Sequence, residues 1–138
     1  MGKTRGRPAV VLLAEDDPDD QELTRRAFEE GTLKTDLRIV DNGEEALDYL
    51  KHRGRYADPE SSPRPDLILL DLNLPKLDGW EVLKLIDNDP ELRDISVAVL
   101  TVSKAEEDMV RSYHFGSISF ISKPMDILVV ESLIQRAR

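Results

Sequence analysis

Short apolar runs alternate with segments of mixed polarity along the whole chain. Residues 9–14 are all apolar and rich in Val and Leu, which is typical of a strand buried on both faces. Similar short runs recur further along the chain, and each is followed by a stretch with the apolar spacing of a helix. The predicted strands are residues 9–14, 37–40, 67–70, 95–101 and 118–121, and the predicted helices are residues 18–30, 43–52, 80–86, 104–115 and 126–135.

Local signals mark where several of these helices begin and end. Asp17 followed by Pro18 favours a helix start, because Asp accepts hydrogen bonds from free amides and Pro suits the first turn. Gly31 favours the end of that helix, and Ser103 with Glu106 forms a capping pattern for another. Strand–helix units in this succession predict a flavodoxin-like, doubly wound α/β domain with a five-stranded parallel sheet in the order 2-1-3-4-5.

Composition narrows the class of protein. The 138 residues suit one domain, which we place at residues 8–138 after a basic, disordered tail at residues 1–7. The 28 acidic residues outnumber the 19 basic ones, and the resulting net charge of −9 argues against a nucleic-acid binder. The chain has no cysteine, which suits the cytoplasm, and its apolar runs are too short to span a membrane. We therefore expect a cytoplasmic protein that binds neither nucleic acid nor membranes.

Polar residues follow the predicted strands at their carboxyl ends. Glu15 and Asp16 follow the first strand, and Asp71 follows the third. Thr101 ends the fourth strand, and Lys123 comes shortly after the fifth. In a sheet of this order, ligands bind at the carboxyl ends of the strands, where the strand order reverses. A single acid at a strand end is more often a helix cap than a ligand, but polar residues at all these ends indicate a shared site.

The residue types in this cluster favour a magnesium site beside a nucleophilic carboxylate. Clustered carboxylates repel one another unless a cation joins them, and oxygen ligands suit Mg²⁺. A carboxylate can attack phosphorus to form an aspartyl phosphate, and Lys123 and Thr101 can then contact the phosphoryl oxygens. The other acids of the first segment, Asp17, Asp19 and Asp20, are interpreted as a solvated helix start favoured by the helix dipole.

The segments that carry these residues are VLLAEDDPDD, DLILLDLNLPKLDGWEVL, VAVLT and FISKP. Together they resemble the receiver domains of two-component response regulators, and the similarity covers residues 8–138. Asp71 lies 30 residues before Thr101, and Thr101 lies 22 residues before Lys123, which are the usual intervals of this family. The resemblance implies a protein that accepts a phosphoryl group from a sensor histidine kinase, in a Mg²⁺-dependent reaction, and signals by a phosphorylation-controlled change of its surface.

The resemblance also assigns a phosphoacceptor and a set of metal ligands. Asp71 is the implied phosphoacceptor and is itself a metal ligand. Asp16 would bind Mg²⁺ directly, Glu15 would act through water, and Asn73 would offer its backbone carbonyl. Self-catalysed phosphotransfer and slow autodephosphorylation are implied, so we expect a signalling protein and not an enzyme.

The resemblance also implies which residues respond to phosphorylation, and these residues are called the switch. Thr101 and Lys123 would contact the phosphoryl group, and Thr101 with Phe120 would form the switch pair. The peptide between Lys123 and Pro124 is expected to be cis, which proline tolerates. Phe120 stands where the family commonly has Tyr, so it can rotate inward without forming a hydroxyl hydrogen bond. Val102 stands where Ala is more usual, and we expect it to restrict access to the phosphoryl site.

The polar loop at residues 54–65 is longer than in most receivers. With the LNLPK and VAVLTVS segments, it resembles the stand-alone regulators that serve phytochrome-type sensor histidine kinases. The expected partner is therefore such a kinase or a phosphotransfer protein. No effector domain is expected after the last helix, so the signal should leave through a protein surface. The helix 4–strand 5–helix 5 face, where Leu128 is predicted to point outward, is the candidate for a homodimer or a docked target.

Two other classes of protein stay open from the residues. A Mg²⁺-dependent phosphatase can also use an Asp nucleophile, but it needs a general acid two residues later, where this chain has Asn73. A phosphorylation-independent pseudo-receiver would be a pure binding module, and the presence of Asp71, Thr101 and Lys123 argues against it. Incubation with a small phosphodonor and Mg²⁺ distinguishes the three classes.

Overall fold

The predicted strands form one parallel sheet in the part of the chain that the structure describes. They are β1 (Ala9–Ala14), β2 (Thr35–Val40), β3 (Leu67–Asp71), β4 (Ser96–Thr101) and β5 (Ile118–Ser122). They lie in the order β2-β1-β3-β4-β5, with every neighbouring pair parallel. β1 and β3 are neighbours although β2 separates them along the chain, so the strand order reverses between them. The prediction of a flavodoxin-like, doubly wound sheet is confirmed.

The structure is a computed structural model that describes residues 7–101, 103–116, 118–123 and 125–138, with only the backbone described at Thr101. Three of the sequence-based predictions lie partly or wholly outside these residues. They concern the basic tail, the restriction of access to the phosphoryl site by Val102, and the cis peptide before Pro124. Of the basic tail, only Arg7 is described. Arg7 forms an ion pair with Asp66, with nitrogen and oxygen 3.2 Å apart.

Each of the described α-helices begins after a residue whose side chain accepts a backbone N–H. The α-helices are α1 (Pro18–Glu30), α2 (Gly43–Leu50), α3 (Gly79–Asp87), α4 (Lys104–Ser112) and α5 (Ile127–Ala137), with a turn of 3₁₀ helix at Gly54–Tyr56. The capping residues are Asp17, Asn42, Asp78, Ser103 and Asp126. Such caps satisfy N–H groups that no helical carbonyl reaches. None of these described helices has the length and apolar character needed to cross a membrane.

Two helices end earlier than predicted. α2 ends at Leu50 and not near residue 52, and α4 ends at Ser112 and not near residue 115. A histidine with positive φ follows each of them, His52 at 55° and His114 at 53°. This left-handed conformation stops a helix, and Gly or Asn usually supplies it. Because histidine is not a usual stop signal, the sequence pattern placed the end of α4 at Gly116 instead.

Helices pack on both faces of the sheet, and an apolar core lies between the sheet and the helices on each face. α2, α3 and α4 bury residues such as Leu47, Val82 and Val110 in one core. α1 and α5 bury Phe28 and Ile134 in the other. Every residue of β1 and β3 is buried, which explains why these strands are apolar at almost every position. Each buried large apolar side chain contributes about 1.5–3 kcal/mol, so burial stabilises the central strands that carry the site at their ends.

The polar loop at residues 54–65 is held against α2 and β2 by side-chain hydrogen bonds. The hydroxyl of Tyr49 donates to the carbonyl of Pro63 at 2.8 Å. The Arg38 guanidinium donates to the carbonyl of Ser61 at 2.6 Å. The loop therefore lies beside the edge strand β2 and is tied to it.

Glu131 of α5 is buried, as are the apolar Val130 and Ile134 of the same helix. Its carboxylate accepts the backbone N–H groups of Thr32 at 2.8 Å and Leu33 at 3.0 Å, in the turn after α1. These hydrogen bonds hold the pKa of Glu131 below its ordinary value. These hydrogen bonds attach the turn that joins α1 and β2 to helix α5.

Candidate functional site

Three carboxylates meet at the carboxyl ends of β1 and β3, where the strand order reverses. Glu15 and Asp16 follow β1 directly, and Asp71 is the last residue of β3. One carboxylate oxygen from each of the three residues lies within 4.8 Å of the other two. Glu15 and Asp71 are buried, and Asp16 is exposed. The sheet topology thus brings together the three acids that the sequence pattern had assigned to one edge.

Lys123, which follows β5, reaches into this group of acids. Its Nζ lies 2.9 Å from Oε1 of Glu15 and 3.0 Å from Oδ2 of Asp71. The Lys123 side chain is 24% exposed, whereas those of Glu15 and Asp71 are 2% and 9% exposed. At this low exposure the ion pairs are only weakly screened by water. Lys123 therefore neutralises part of the charge of a largely buried acidic pair.

The charges of the site shift the pKa values of two of its members. Burial raises the pKa of Glu15, and the nearby charge of Asp71 raises it further, while the hydrogen bond from Lys123 acts in the opposite direction. Burial alone would lower the pKa of Lys123, but its hydrogen bonds to Glu15 and Asp71 and their charges outweigh burial and raise it. Lys123 is thus a cation throughout the physiological pH range.

Backbone N–H groups hold the other oxygens of the two buried acids. The N–H of Asn73 donates to Oδ1 of Asp71 at 2.9 Å. The N–H of Asp17 donates to Oε2 of Glu15 at 3.1 Å. Each of these carboxylates is therefore fixed in orientation, with one oxygen on the backbone and the other on Lys123.

The donor set fits a divalent cation. The three carboxylates of Glu15, Asp16 and Asp71 offer oxygen ligands within 4.8 Å of one another, and hard cations such as Mg²⁺ and Mn²⁺ prefer oxygen. Three carboxylates and one ammonium leave an excess of negative charge, which a cation offsets. Asn73 is exposed and lies two residues after Asp71, so its backbone carbonyl belongs to the same turn.

Two other residues named from the sequence lie on β4 and β5. Thr101 is the last residue of β4 and is paired in register with Ser122 of β5, and its side chain lies outside the described part of the chain. Phe120 of β5 is half-buried, and the guanidinium carbon of Arg111 lies 4.5 Å from the centre of its ring. An aromatic ring under a guanidinium at this distance is a cation–π contact.

The structure adds Asp20 to the site, although the sequence pattern predicts only a solvated helix start there. Oδ2 of Asp20 lies 3.3 Å from Nζ of Lys123. The residue lies one helical turn before Thr24, which is buried and whose hydroxyl donates to the carbonyl of Asp20. Asp20, Thr24 and Phe28 are spaced four residues apart, which places them on one face of α1, and Thr24 and Phe28 are buried. This spacing is the sequence signal that places Asp20 toward the protein.

A cavity of about 170 Å³ opens beside Lys123, between α1 and the segment after β5. Its walls are formed mainly by Leu23, Leu100 and Met125, with Asp20 and Lys123 at the polar end. The cavity therefore adjoins both Asp20 of α1 and Lys123.

Comparison with known proteins identifies the family. The response regulator receiver domain matches residues 11–135 of this chain. The response regulator Rcp1 of Synechocystis sp. is 40% identical over 135 residues, which are 98% of this chain and 90% of Rcp1.

Solved structures give the same result. The bacteriophytochrome response regulator AtBRR superposes with a TM-score of 0.82 at 41% identity, covering 94% of this chain and 91% of AtBRR. The Mn²⁺-bound form of response regulator Rcp1 superposes with a TM-score of 0.74 at 39% identity, covering 94% of this chain and 89% of that one. The chain therefore belongs to the family of response regulator receiver domains.

Proposed function

We propose that a sensor histidine kinase transfers a phosphoryl group to Asp71 of this response regulator, within a two-component system. The observation that carries the proposal is the position of Asp71. Its carboxylate ends β3 at the reversal of strand order, with Nζ of Lys123 at 3.0 Å and with Glu15 and Asp16 beside it. A nucleophilic carboxylate next to a fixed cation suits phosphoryl transfer to an aspartate.

In the proposed reaction, an oxygen of Asp71 attacks the phosphorus of a phosphohistidine. The new O–P bond forms as the P–N bond breaks, and the electron pair of the broken bond returns to the imidazole nitrogen. Lys123 and the hydroxyl of Thr101 donate hydrogen bonds to phosphoryl oxygens, which stabilises their negative charge. The transfer is self-catalysed and is followed by slow autodephosphorylation, so the protein acts as a signalling phosphoacceptor and not as an enzyme with turnover.

The proposed cofactor is Mg²⁺. Asp16 and Asp71 would hold it directly, together with the backbone carbonyl of Asn73, and Glu15 would act through a water molecule. When bound, Mg²⁺ supplies positive charge that offsets the charge of the phosphoryl oxygens. The oxygen character of this whole ligand set favours Mg²⁺ over softer metals.

The proposed phosphodonor is a phytochrome-type sensor histidine kinase, or a phosphotransfer protein, in the cytoplasm. The structures of AtBRR and of a phosphorylated cyanobacterial protein, RcpA, are described as those of phytochrome response regulators, and both are about 40% identical to this chain. The net charge of −9 makes nucleic acid and anionic membranes unfavourable partners.

The proposed output is a switch at Thr101 and Phe120. Phosphorylation draws Thr101 toward a phosphoryl oxygen, and Phe120 rotates inward. These movements shift a pre-existing equilibrium between two conformations of the protein surface. Inward rotation of Phe120 separates its ring from the guanidinium of Arg111, which lies 4.5 Å from the ring centre. The cation–π contact therefore favours the ring position seen in this structure.

The function is tested by incubating the protein with acetyl phosphate, with and without Mg²⁺. We expect about one stable phosphoryl group per chain with Mg²⁺ and at least tenfold slower labelling after chelation, because the charge of the phosphoryl oxygens is then not offset (about 1.4 kcal/mol per tenfold). Asp16→Asn should raise the Mg²⁺ concentration needed for half-maximal labelling. Asp41→Asn, an exposed acid after β2, serves as a control of equal charge.

The other two classes give different results in the same experiment. Rapid continuous hydrolysis of acetyl phosphate would identify a phosphatase. The absence of labelling at any Mg²⁺ concentration would identify a pseudo-receiver that only binds partners. Either result contradicts the proposed function.

The proposed homodimer uses the face formed by α4, β5 and α5. Leu128 and Val129 of α5 are 70% and 44% exposed, and Met109 of α4 is 54% exposed, so both helices present large apolar side chains to solvent. We expect Leu128→Glu to weaken self-association at least fivefold in sedimentation experiments at tens of micromolar, roughly where an interface of about −6 kcal/mol is populated. Leu85→Glu is the control, because Leu85 is 39% exposed on α3, which is not part of this face. A wild-type protein that stays monomeric with and without phosphodonor contradicts the dimer.

A further inference from the structure

Lys123 uses all of the hydrogen-bonding capacity of its ammonium group on carboxylates. An ammonium has three N–H donors and no acceptor. Nζ of Lys123 lies 2.9 Å from Glu15, 3.0 Å from Asp71 and 3.3 Å from Asp20. A phosphoryl oxygen that is to accept a hydrogen bond from Lys123 must therefore displace one of these three carboxylates.

The three carboxylates differ in how easily Lys123 can release them. Glu15 is 2% exposed and is held by the backbone N–H of Asp17, so water cannot replace Lys123 there. Asp71 is 9% exposed and is the residue that carries the phosphoryl group. Asp20 is 38% exposed, and its contact is the longest of the three, so water can hydrate its carboxylate once Lys123 leaves.

We propose that Asp20 is a positioning residue that competes with the phosphoryl group for Lys123. This inference rests on the proposed function of Asp71 as phosphoacceptor. Before phosphorylation, Asp20 holds the third donor of Lys123 and draws the ammonium toward α1. After phosphorylation, that donor moves to a phosphoryl oxygen, and the carboxylate of Asp20 turns to solvent. Both side chains line the cavity of about 170 Å³, which is free volume next to this exchange.

Asp20 lowers the affinity of the site for a phosphoryl group by two physical effects. It occupies a hydrogen-bond donor that the phosphoryl group needs, and its negative charge repels an incoming anion. Asp20 therefore lowers the affinity of the site for a phosphoryl group and, through Lys123, shortens the time the group is retained. Its neighbour Asp19 belongs to the same turn of α1 and carries the same charge, but it is exposed and its N–H, not its carboxylate, is used in the cap.

The test compares Asp20→Ala with Asp19→Ala, since both variants remove one charge from the first turn of α1. Binding of beryllofluoride, a stable mimic of the phosphoryl group, is measured by calorimetry in the presence of saturating Mg²⁺. We expect Asp20→Ala to bind the mimic about threefold to fivefold more tightly than Asp19→Ala, the range of a partly exposed ion pair. Asp20→Glu, which restores the carboxylate, should return the affinity to that of the wild type.

A second readout needs neither metal nor phosphoryl group. NMR of protein labelled with ¹⁵N-lysine reports on the ammonium protons of Lys123, which exchange slowly with water when all of them are hydrogen-bonded. In metal-free protein we expect the Lys123 signal to shift and its protons to exchange faster in Asp20→Ala, but not in Asp19→Ala. The readout separates a contact with Lys123 from a general effect on the start of α1.

The outcomes separate this inference from the proposed function. If wild-type protein binds no beryllofluoride, the proposed function fails, and the role of Asp20 fails with it. If wild-type protein binds the mimic but Asp20→Ala and Asp19→Ala have equal affinities, or Asp20→Ala binds more weakly, the inference about Asp20 alone is wrong. An unchanged Lys123 signal in Asp20→Ala contradicts it as well.

Discussion

Asp71→Asn is expected to lower labelling by acetyl phosphate at least about a hundredfold, because an amide is not a competent nucleophile toward phosphorus. Radiolabelled or intact-mass measurements over the same time course as the wild type give the result. Asp66→Asn is the matched control, since Asp66 lies just before the opposite end of β3 and caps the backbone N–H of Val10 at 2.8 Å. That variant should be labelled like the wild type.

The loss of labelling in Asp71→Asn should not come from unfolding. Burial raises the pKa of Glu15 and the charge of Asp71 raises it further, so removal of that charge relieves a repulsion between two neighbouring carboxylates. The substitution also removes the ion pair between Asp71 and Lys123, but Lys123 keeps its ion pair with Glu15 at 2.9 Å. We therefore expect the denaturation midpoint of Asp71→Asn to be equal to or higher than that of the wild type. Undiminished labelling of a folded Asp71→Asn protein would show that another residue is the phosphoacceptor.

Gly43→Ala is expected to produce a large loss of stability by a different route. A Cβ at Gly43 would lie 1.7 Å from the carbonyl oxygen of Leu77 and 2.6 Å from its carbonyl carbon. The first turn of α2 thus rests directly on the backbone of the segment between β3 and α3, which also carries Asn73. Relieving such an overlap requires backbone movement, and we expect the free energy of unfolding to fall by about 3 kcal/mol. For a domain of this size, the thermal midpoint should fall by about 10 °C.

Gly116→Ala is the control for this prediction. A Cβ there would lie 3.6 Å from the Oδ1 atom of Asp87 and 3.9 Å from the carbonyl oxygen of Arg93, which are ordinary contact distances. We expect its unfolding free energy to lie within about 0.5 kcal/mol of the wild type. Equal stabilities of Gly43→Ala and Gly116→Ala would contradict the close approach of α2 to the β3–α3 segment.

Most of the fold was predictable because the central strands leave a local signature. β1 and β3 are buried along their whole length, and such strands are continuous short apolar runs. Once these strands and their helices are placed, the rules of parallel connections leave few possible orders. The edge strand β2 was predicted two residues short, because Thr35 and Asp36 are polar and only half-buried beside β1.

The position of the candidate site followed from topology, whereas its individual contacts did not. Acids at the ends of β1 and β3 must lie close together in a sheet of order 2-1-3-4-5, and they do. Contacts between distant parts of the chain leave no local pattern. Examples are Asp20 with Lys123 and Glu131 with the turn at Thr32, both separated by about 100 residues in sequence.

The measurement that tests the central claim most directly is chemical mapping of the phosphoryl group in wild-type protein. Borohydride reduces an acyl phosphate to a primary alcohol, so an aspartyl phosphate becomes homoserine, which peptide mass spectrometry locates. After incubation with acetyl phosphate and Mg²⁺, we expect homoserine at position 71 and unmodified aspartate at Asp16 and Asp20. Homoserine at either of those two positions, or phosphate retained on His52 or His114, would contradict the assignment of Asp71 as the phosphoacceptor.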